Sequence, residues 1–194
     1  MSDALRLGPE HAEALVEAQQ ADYPTGMRDT VDKLRQKLTL LDQSDFSSAW
    51  GLFENEGLIG YVIAFPRRSH VEDRGKEVVV GIDDLWISQK YSHRLYSLLK
   101  ILQFDLEEAQ LNHLDIEANS RRSFFRLLEK HPEVFRRLGY ELLGTYVYWE
   151  ESIGEEMCWL RMSPLVVKAP SRAHDAVELS DALLEEMRYD WDSE

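Results

Sequence analysis

The chain has 194 residues, 44% of them hydrophobic and five of them Trp, which suits one folded body with a remainder and excludes wholesale disorder. Lys and Arg number 22 against 36 Asp and Glu, a formal charge of −14 that excludes a protein built around a basic nucleic-acid face. Cys158 is the single cysteine, so no intramolecular disulfide is available and a reducing, cytoplasmic setting is expected.

The opening Met-Ser-Asp-Ala has neither a basic start nor an apolar stretch, so no leader is expected there. A short strand is predicted over Ala4–Leu7. Gly8-Pro9 then opens a helix, with Ala12, Leu15, Val16 and Gln19 at helical spacing to about Gln20. Residues Ala21–Met27, with Pro24 and Gly26, read as a loop. Asp29 is placed to N-cap a second helix carrying Val31, Leu34, Leu38 and Leu41 on one stripe.

Strands are predicted over Ala49–Glu54 and Leu58–Phe65, around the turn Asn55-Glu56-Gly57. Leu58 to Phe65 is the longest apolar stretch, far too short to span a bilayer, so no membrane contact is expected. Pro66–Gly75 reads as a charged, exposed loop in which Arg67, Arg68, His70 and Arg74 make a locally basic patch, and Glu77–Ile87 as another strand. Leu95, Leu98, Leu99, Leu102, Leu106 and Ala109 mark an amphipathic helix. A strand over His113–Ala118, a helix over Ser120–Lys130 and a short helical turn ending at Gly139 follow. Two strands, Tyr140–Trp149 and Glu156–Met162, close a body placed at residues 1–163.

The remainder, 164–194, is the acidic part. Residues 175–194 hold Asp175, Glu178, Asp181, Glu185, Glu186, Asp190, Asp192 and Glu194 against Arg188 alone, about half of the net charge. Val177, Leu183, Leu184 and Met187 recur near helical spacing, with Tyr189 and Trp191 behind them. This extension reads as an amphipathic acidic helix that packs on its own body or supports a homo-oligomer or assembly through residues 165–194.

The order β-α-α-β-β-β-α-β-α-β-β predicts an α/β fold with a mixed, mostly antiparallel sheet flanked by helices. Three segments in that order carry a resemblance: Gly81-Ile82-Asp83-Asp84-Leu85-Trp86-Ile87, Leu114-Asp115-Ile116-Glu117-Ala118-Asn119 and Phe135-Arg136-Arg137-Leu138-Gly139-Tyr140-Glu141. They resemble the fourth strand, the fifth strand and the Y-x-x-x-G-F/Y signature of the GNAT (GCN5-related N-acetyltransferase) superfamily, over roughly residues 4–162. The resemblance implies acetyl-CoA as co-substrate, lying where the fourth and fifth strands splay. Backbone around Leu85 and Ile87 would hold the pantetheine arm. Asn119 would contact the cofactor and cap the next helix.

In that family a glycine-bearing loop of the form R/Q-x-x-G-x-G/A cradles the pyrophosphate, because amides at a helix N-terminus form an anion nest. The matching stretch here, residues 88–97, contains no glycine. Aligned from Ile87, the two glycines fall on Leu95 and Ser97 and the Arg on Ser92. Aligned from Gln89, the glycines fall on Ser92 and Arg94. A branched side chain such as Leu95 at a nest position would crowd a pyrophosphate, while Lys90, His93 and Arg94 offer side-chain phosphate contacts.

By the same resemblance Asp83 is the base, directly or through water, and Asp84 points to the opposite face of the strand. The family's leaving-group acid falls on Phe135, which has no proton to donate, so Tyr140, Tyr146 or a water would substitute. The resemblance therefore implies transfer of an acetyl or other acyl group to a primary amine, and the acidity suits a cationic one. The competing reading is a GNAT-like scaffold that has lost its cofactor and acts through a protein partner, similar to phage-encoded, virion-associated members. His113, Asp115 and Glu117 alternate on one strand face, which reads as a solvated polar face rather than a metal site. Cys158, between Met157 and Trp159, reads as a buried core thiol.

Overall fold

A computed structural model describes residues 3–44, 46–55, 57–71, 75–121 and 133–165. The chain opens with β1 (Asp3–Arg6), then a 3-10 turn over Pro9–His11 in which proline starts the helix without losing a needed N–H, and α1 (Ala12–Asp22). A second 3-10 turn, Thr25–Met27, leads to α2 (Val31–Asp42). The strands β2 (Ser48–Glu54), β3 (Gly57–Val71) and β4 (Gly75–Ile87) form a meander, and a 3-10 segment, Gln89–Arg94, enters α3 (Leu95–Glu108). Next come β5 (Ile116–Arg121), the short α4 (Glu133–Arg137), β6 (Tyr140–Glu150) and β7 (Glu155–Pro164).

The seven strands among the described residues join one sheet in the order β1-β2-β3-β4-β5-β7-β6. Only β4 and β5 are parallel, as the α3 crossover between them requires. On one face α1 and α2 bury Leu15, Leu34, Leu38 and Leu41 against Tyr61, Ile63 and Trp86. On the other, α3 and α4 bury Leu98, Leu102, Leu106 and Phe135 against Val62, Val80, Ile116, Cys158 and Leu160. Asp105 fastens α3 to β2 by accepting from Ser48 Oγ at 2.7 Å and Trp50 Nε1 at 2.6 Å.

Several expected boundaries move. Thr30, not Asp29, caps α2, its Oγ1 accepting from the Lys33 amide at 3.2 Å. The loop expected over Pro66–Gly75 is largely strand: β3 runs on to Val71 and pairs with β4 from Gly75. Pro66 stands past the end of the β2 register, where β3 has a partner on one side only and proline is tolerated. The turn bonds Leu111 N to Leu106 O and Leu114 N to Leu111 O delay β5 to Ile116. That strand then takes in Asn119, Ser120 and Arg121, so Asn119 sits in a strand beside Trp159 and caps no helix. The rest of the helix expected over Ser120–Lys130 and the acidic extension from residue 166 lie outside the described residues.

β4 carries the feature that organises the site. Its pairing with β3 runs Ala64↔Ile82 and then Ile63↔Asp84, so Asp83 is an inserted residue, a β-bulge. Before the bulge Val80 and Ile82 face α3, and after it Leu85 and Ile87 do. Asp83 and Asp84 consequently both face α1 and α2, and the expectation that they point to opposite faces is corrected.

Candidate active site

Asp83 meets Lys37 of α2, the ammonium 2.9 Å from Oδ2, with both side chains largely buried (18% and 10% exposed). Asp29, at the start of α2, stands 3.5 Å from the same ammonium. Burial alone would pull Lys37 down, but the charges of Asp83 and Asp29 outweigh it and hold the ammonium above the usual lysine range. Asp84, half-buried, accepts from Tyr23 Oη at 2.6 Å, Tyr61 Oη at 2.7 Å and Gln19 Nε2 at 3.0 Å. Burial pushes its carboxyl up from the ordinary 3.8, and the two tyrosine hydrogen bonds oppose that shift without reversing it. Burial and the Asp84 charge in turn push the Tyr61 phenol well up, so it remains a donor.

Beyond the bulge the sheet opens. The β4–β5 ladder consists of Val80↔Ile116, Gly81↔Glu117 and Ile82↔Ala118, and then the two strands part. From Asp84 to Ile87 the β4 backbone keeps its β3 partners but has no strand on the β5 side. Asn119 lies one residue past the last β5 residue that pairs with β4, and its Oδ1 is buried with no hydrogen-bond partner. A buried amide oxygen left without a donor is costly, and an N–H from a molecule lying in the gap would satisfy it.

Gln89, Lys90, Ser92 and His93 are exposed at the mouth of this gap, and Arg94 is half-exposed. Leu95 is 6% exposed and belongs to the core under α3, so it does not crowd the loop's outer surface, contrary to the expectation for a glycine-free nest. Amides of the loop are used internally, among them Tyr91 N to Ser88 O at 2.8 Å and Leu95 N to Ser92 O. Lys90 stands over the Tyr91 ring, 4.8 Å from its centroid, and Tyr91 in turn donates to Glu54.

The structure brings Asp83, Leu85, Ile87, the 89–95 loop and Asn119 around one opening. It does not bring Tyr140 there. Tyr140 pairs with Pro164 at the closed end of the sheet, beyond the start of β5, and it is 5% exposed. Burial, with Glu107 and Asp115 nearby, pushes its phenol up to about 12. Tyr146 is 64% exposed on the edge strand β6. Phe135 lines an apolar cavity of about 20 Å³ with Ile82, Leu99, Ile116 and Tyr140.

The face read as solvated is an ion-pair ladder. Glu117 is 3% exposed between Arg67 and Arg161, each at 3.5 Å, and Arg161 Nε reaches Asp115 Oδ2 at 2.7 Å. Arg67 lies across Gly81, where a Cβ would stand 2.5 Å from its Nε. Among the described residues no group of three His, Cys, Asp or Glu side chains is placed to hold a metal. Cys158 is fully buried, as expected. Lys37, Gln19, Tyr23 and Tyr61 were missed as site residues. Gln19 had a signal, since it interrupts an otherwise apolar helix stripe.

No protein-family model matches the sequence, and the curated proteins searched contain no match. Solved structures do match. The yncA structure from Salmonella typhimurium with its cofactor acetyl-CoA superposes with a TM-score of 0.66 at 13% identity, covering 89% of this chain and 99% of that one. The ribosomal-protein-S18-alanine N-acetyltransferase from Escherichia coli gives 0.57 at 14% identity, covering 87% and 97%. An acetyltransferase of the GNAT family from Streptococcus pneumoniae gives 0.59 at 14% identity, covering 86% and 100%. The fold is therefore the GNAT acetyltransferase fold. No helix among the described residues is long and apolar enough to cross a membrane.

Proposed function

We propose that the protein is an N-acetyltransferase that moves an acetyl group from acetyl-CoA to a primary amine. The observation that carries this reading is the parting of β4 and β5 immediately beyond Ile82 and Ala118, with two carboxylates standing on one side of the opening. The three matching structures named above are acetyltransferases, and the one from Salmonella typhimurium holds acetyl-CoA. The orphaned Asn119 Oδ1 fits the pantetheine amides, which are N–H donors. Lys90, His93 and Arg94 would meet the phosphates, replacing with side-chain charge what the missing glycines would give through backbone.

Acetyl-CoA supplies a thioester whose C–S bond breaks as the amine nitrogen bonds to the carbonyl carbon. Asp83 binds the incoming ammonium against the face covered by α1 and α2. Asp84 takes the proton that the ammonium must lose before it can attack, through the hydroxyl of Tyr23 that it already holds at 2.6 Å. Burial raises its carboxyl above the ordinary 3.8, which favours its accepting that proton. Phe135 and Tyr140 donate nothing to the leaving thiolate, which is protonated through water by the second proton that the acetylated nitrogen sheds as the amide forms.

The test is thiol release from acetyl-CoA in the presence of primary amines. Amine-dependent release that Asp84→Asn reduces strongly supports the reading. Absence of acetyl-CoA binding at millimolar concentration, with no amine-dependent release, would leave the scaffold reading in its place.

A further inference from the structure

Midway along α2, Lys37 interrupts the stripe of leucines that packs on the sheet. Leu34, one turn before it, and Leu41, one turn after it, are both buried, as is its neighbour Leu38. A lysine in such a place gives up hydration and is stable only where opposite charge replaces the lost water. That charge comes from Asp83 of β4 at 2.9 Å and from Asp29 at 3.5 Å. In this way α2 delivers a cation to the bulge in β4.

The bulge makes that cation matter. Asp83 and Asp84 face the same helices, and two neighbouring carboxylates away from water hold a proton between them unless a positive charge stands by. The other groups that bond to Asp84 donate hydrogen bonds without charge: Tyr23 from the end of α1, Tyr61 from β3 and Gln19 from α1. Asp29 adds a third carboxylate, shared with the more exposed Lys33 at 3.5 Å, whose pull is screened by solvent. Gln19 ties this outer carboxylate to the inner one. Its Oε1 accepts from the Asp29 amide at 2.7 Å, and its Nε2 donates to Asp84 at 3.0 Å.

On this geometry, and resting on the acetyltransferase reading above, we propose that Lys37 is a positioning residue for proton transfer: by answering the charge of Asp83 it leaves Asp84 able to take the proton of the amine. Asp29 tempers that effect, because it draws the same ammonium away from Asp83 and leaves one net negative charge for the incoming amine. Lys37 acts through Asp83 and donates nothing to the reacting atoms. With Lys37 in place, the amine N–H bond breaks toward Tyr23 Oη while the Tyr23 proton passes to Asp84 Oδ1, so the phenol ends neutral. Without Lys37, Asp84 would already carry the proton it has to accept. Burial does most to push the Asp84 carboxyl up, the Asp83 charge adds to that, and the Lys37 charge opposes both.

The proton affinity of Asp84 can be read without turnover. In the full chain carrying isotope-labelled aspartate, the carboxyl NMR signal that Asp84→Asn removes is followed against pH, and thiol release from acetyl-CoA is measured alongside it. Lys37→Met should raise the Asp84 midpoint by about one pH unit or more, and the acid limb of the pH–rate profile with it. Lys37→Arg, which keeps the charge, should cancel most of that shift. Asp29→Asn should move both downward, because it removes a carboxylate and gives Asp83 the whole ammonium. Asp83→Asn added to Lys37→Met should bring the midpoint down again. A packing role for Lys37 would not give shifts of opposite sign at positions 37 and 29.

An Asp84 midpoint that Lys37→Met leaves in place or lowers would overturn the proposal. So would a midpoint that Asp29→Asn leaves in place or raises, and this variant decides the matter if Lys37→Met does not fold. Turnover with unmoved midpoints would overturn the role of Lys37 and leave the acetyltransferase reading standing. Midpoints that shift as stated, with no amine releasing thiol from acetyl-CoA, would defeat the acetyltransferase reading and the role in proton transfer with it.

Discussion

Asp83 is the residue that β4 has and β3 lacks, and its insertion turns two consecutive carboxylates toward the same helices. Both aspartates were legible in the sequence, but the period-two rule of a regular strand separated them. A phase break was there to be read: apolar residues fall at Val80 and Ile82, then at Leu85 and Ile87, which is the mark of an extra residue between the two pairs. The partners were less legible, because Lys37 and Tyr61 belong to elements far apart in the chain. Asp84→Asn should lower kcat/KM by about a hundredfold to ten-thousandfold and flatten the acid limb of the pH–rate profile. That limb should lie above the ordinary carboxylate range, because burial raises Asp84. Asp83→Asn should mainly raise KM for the amine, leaving acetyl-CoA affinity unchanged in calorimetry.

The same shift has a stability consequence of definite sign. A carboxyl raised in the folded chain contributes stability that is fully present below its unfolded value of 3.8 and is lost as the pH climbs through the folded value. Melting curves of the wild type should therefore lose ground to Asp84→Asn between pH 3.8 and neutrality, and parallel curves would contradict the shift.

At the scale of elements, α3 is the wall of the gap and the support of the 89–95 loop. Its stripe of leucines was plain from spacing, and so was the order of strands around it. Two local errors had physical causes. Charge made 66–75 look like a loop, although most of it pairs in the long hairpin of β3 and β4. Family spacing put Leu95 in a nest, although its side chain turns into the core. Leu98 is fully buried beside Gly60, where a Cβ would come within 3.1 Å of it. Leu98→Ala should cost about 3 kcal/mol in urea unfolding with an unchanged m-value, by opening a cavity that the sheet cannot refill. A cost near zero would mean that α3 is not the packed wall described.

For the molecule as a whole, element order revealed the fold even where no single motif was strong. Charge revealed less: the −14 is shared between the body and a C-terminal extension outside the described residues. Within the body the useful charges are local, with Asp29, Asp83 and Asp84 on one side of the gap and Lys90, His93 and Arg94 at its mouth. Acetyl-CoA is proposed to bind in that gap, and calorimetric titration of acetyl-CoA into the full chain measures this directly. The predicted result is saturable one-to-one binding in the micromolar range, weakened about tenfold or more by the double substitution of Lys90→Glu and Arg94→Glu, which removes charge-assisted phosphate contacts. Absence of heat at millimolar acetyl-CoA, or binding indifferent to those two reversals, would contradict it.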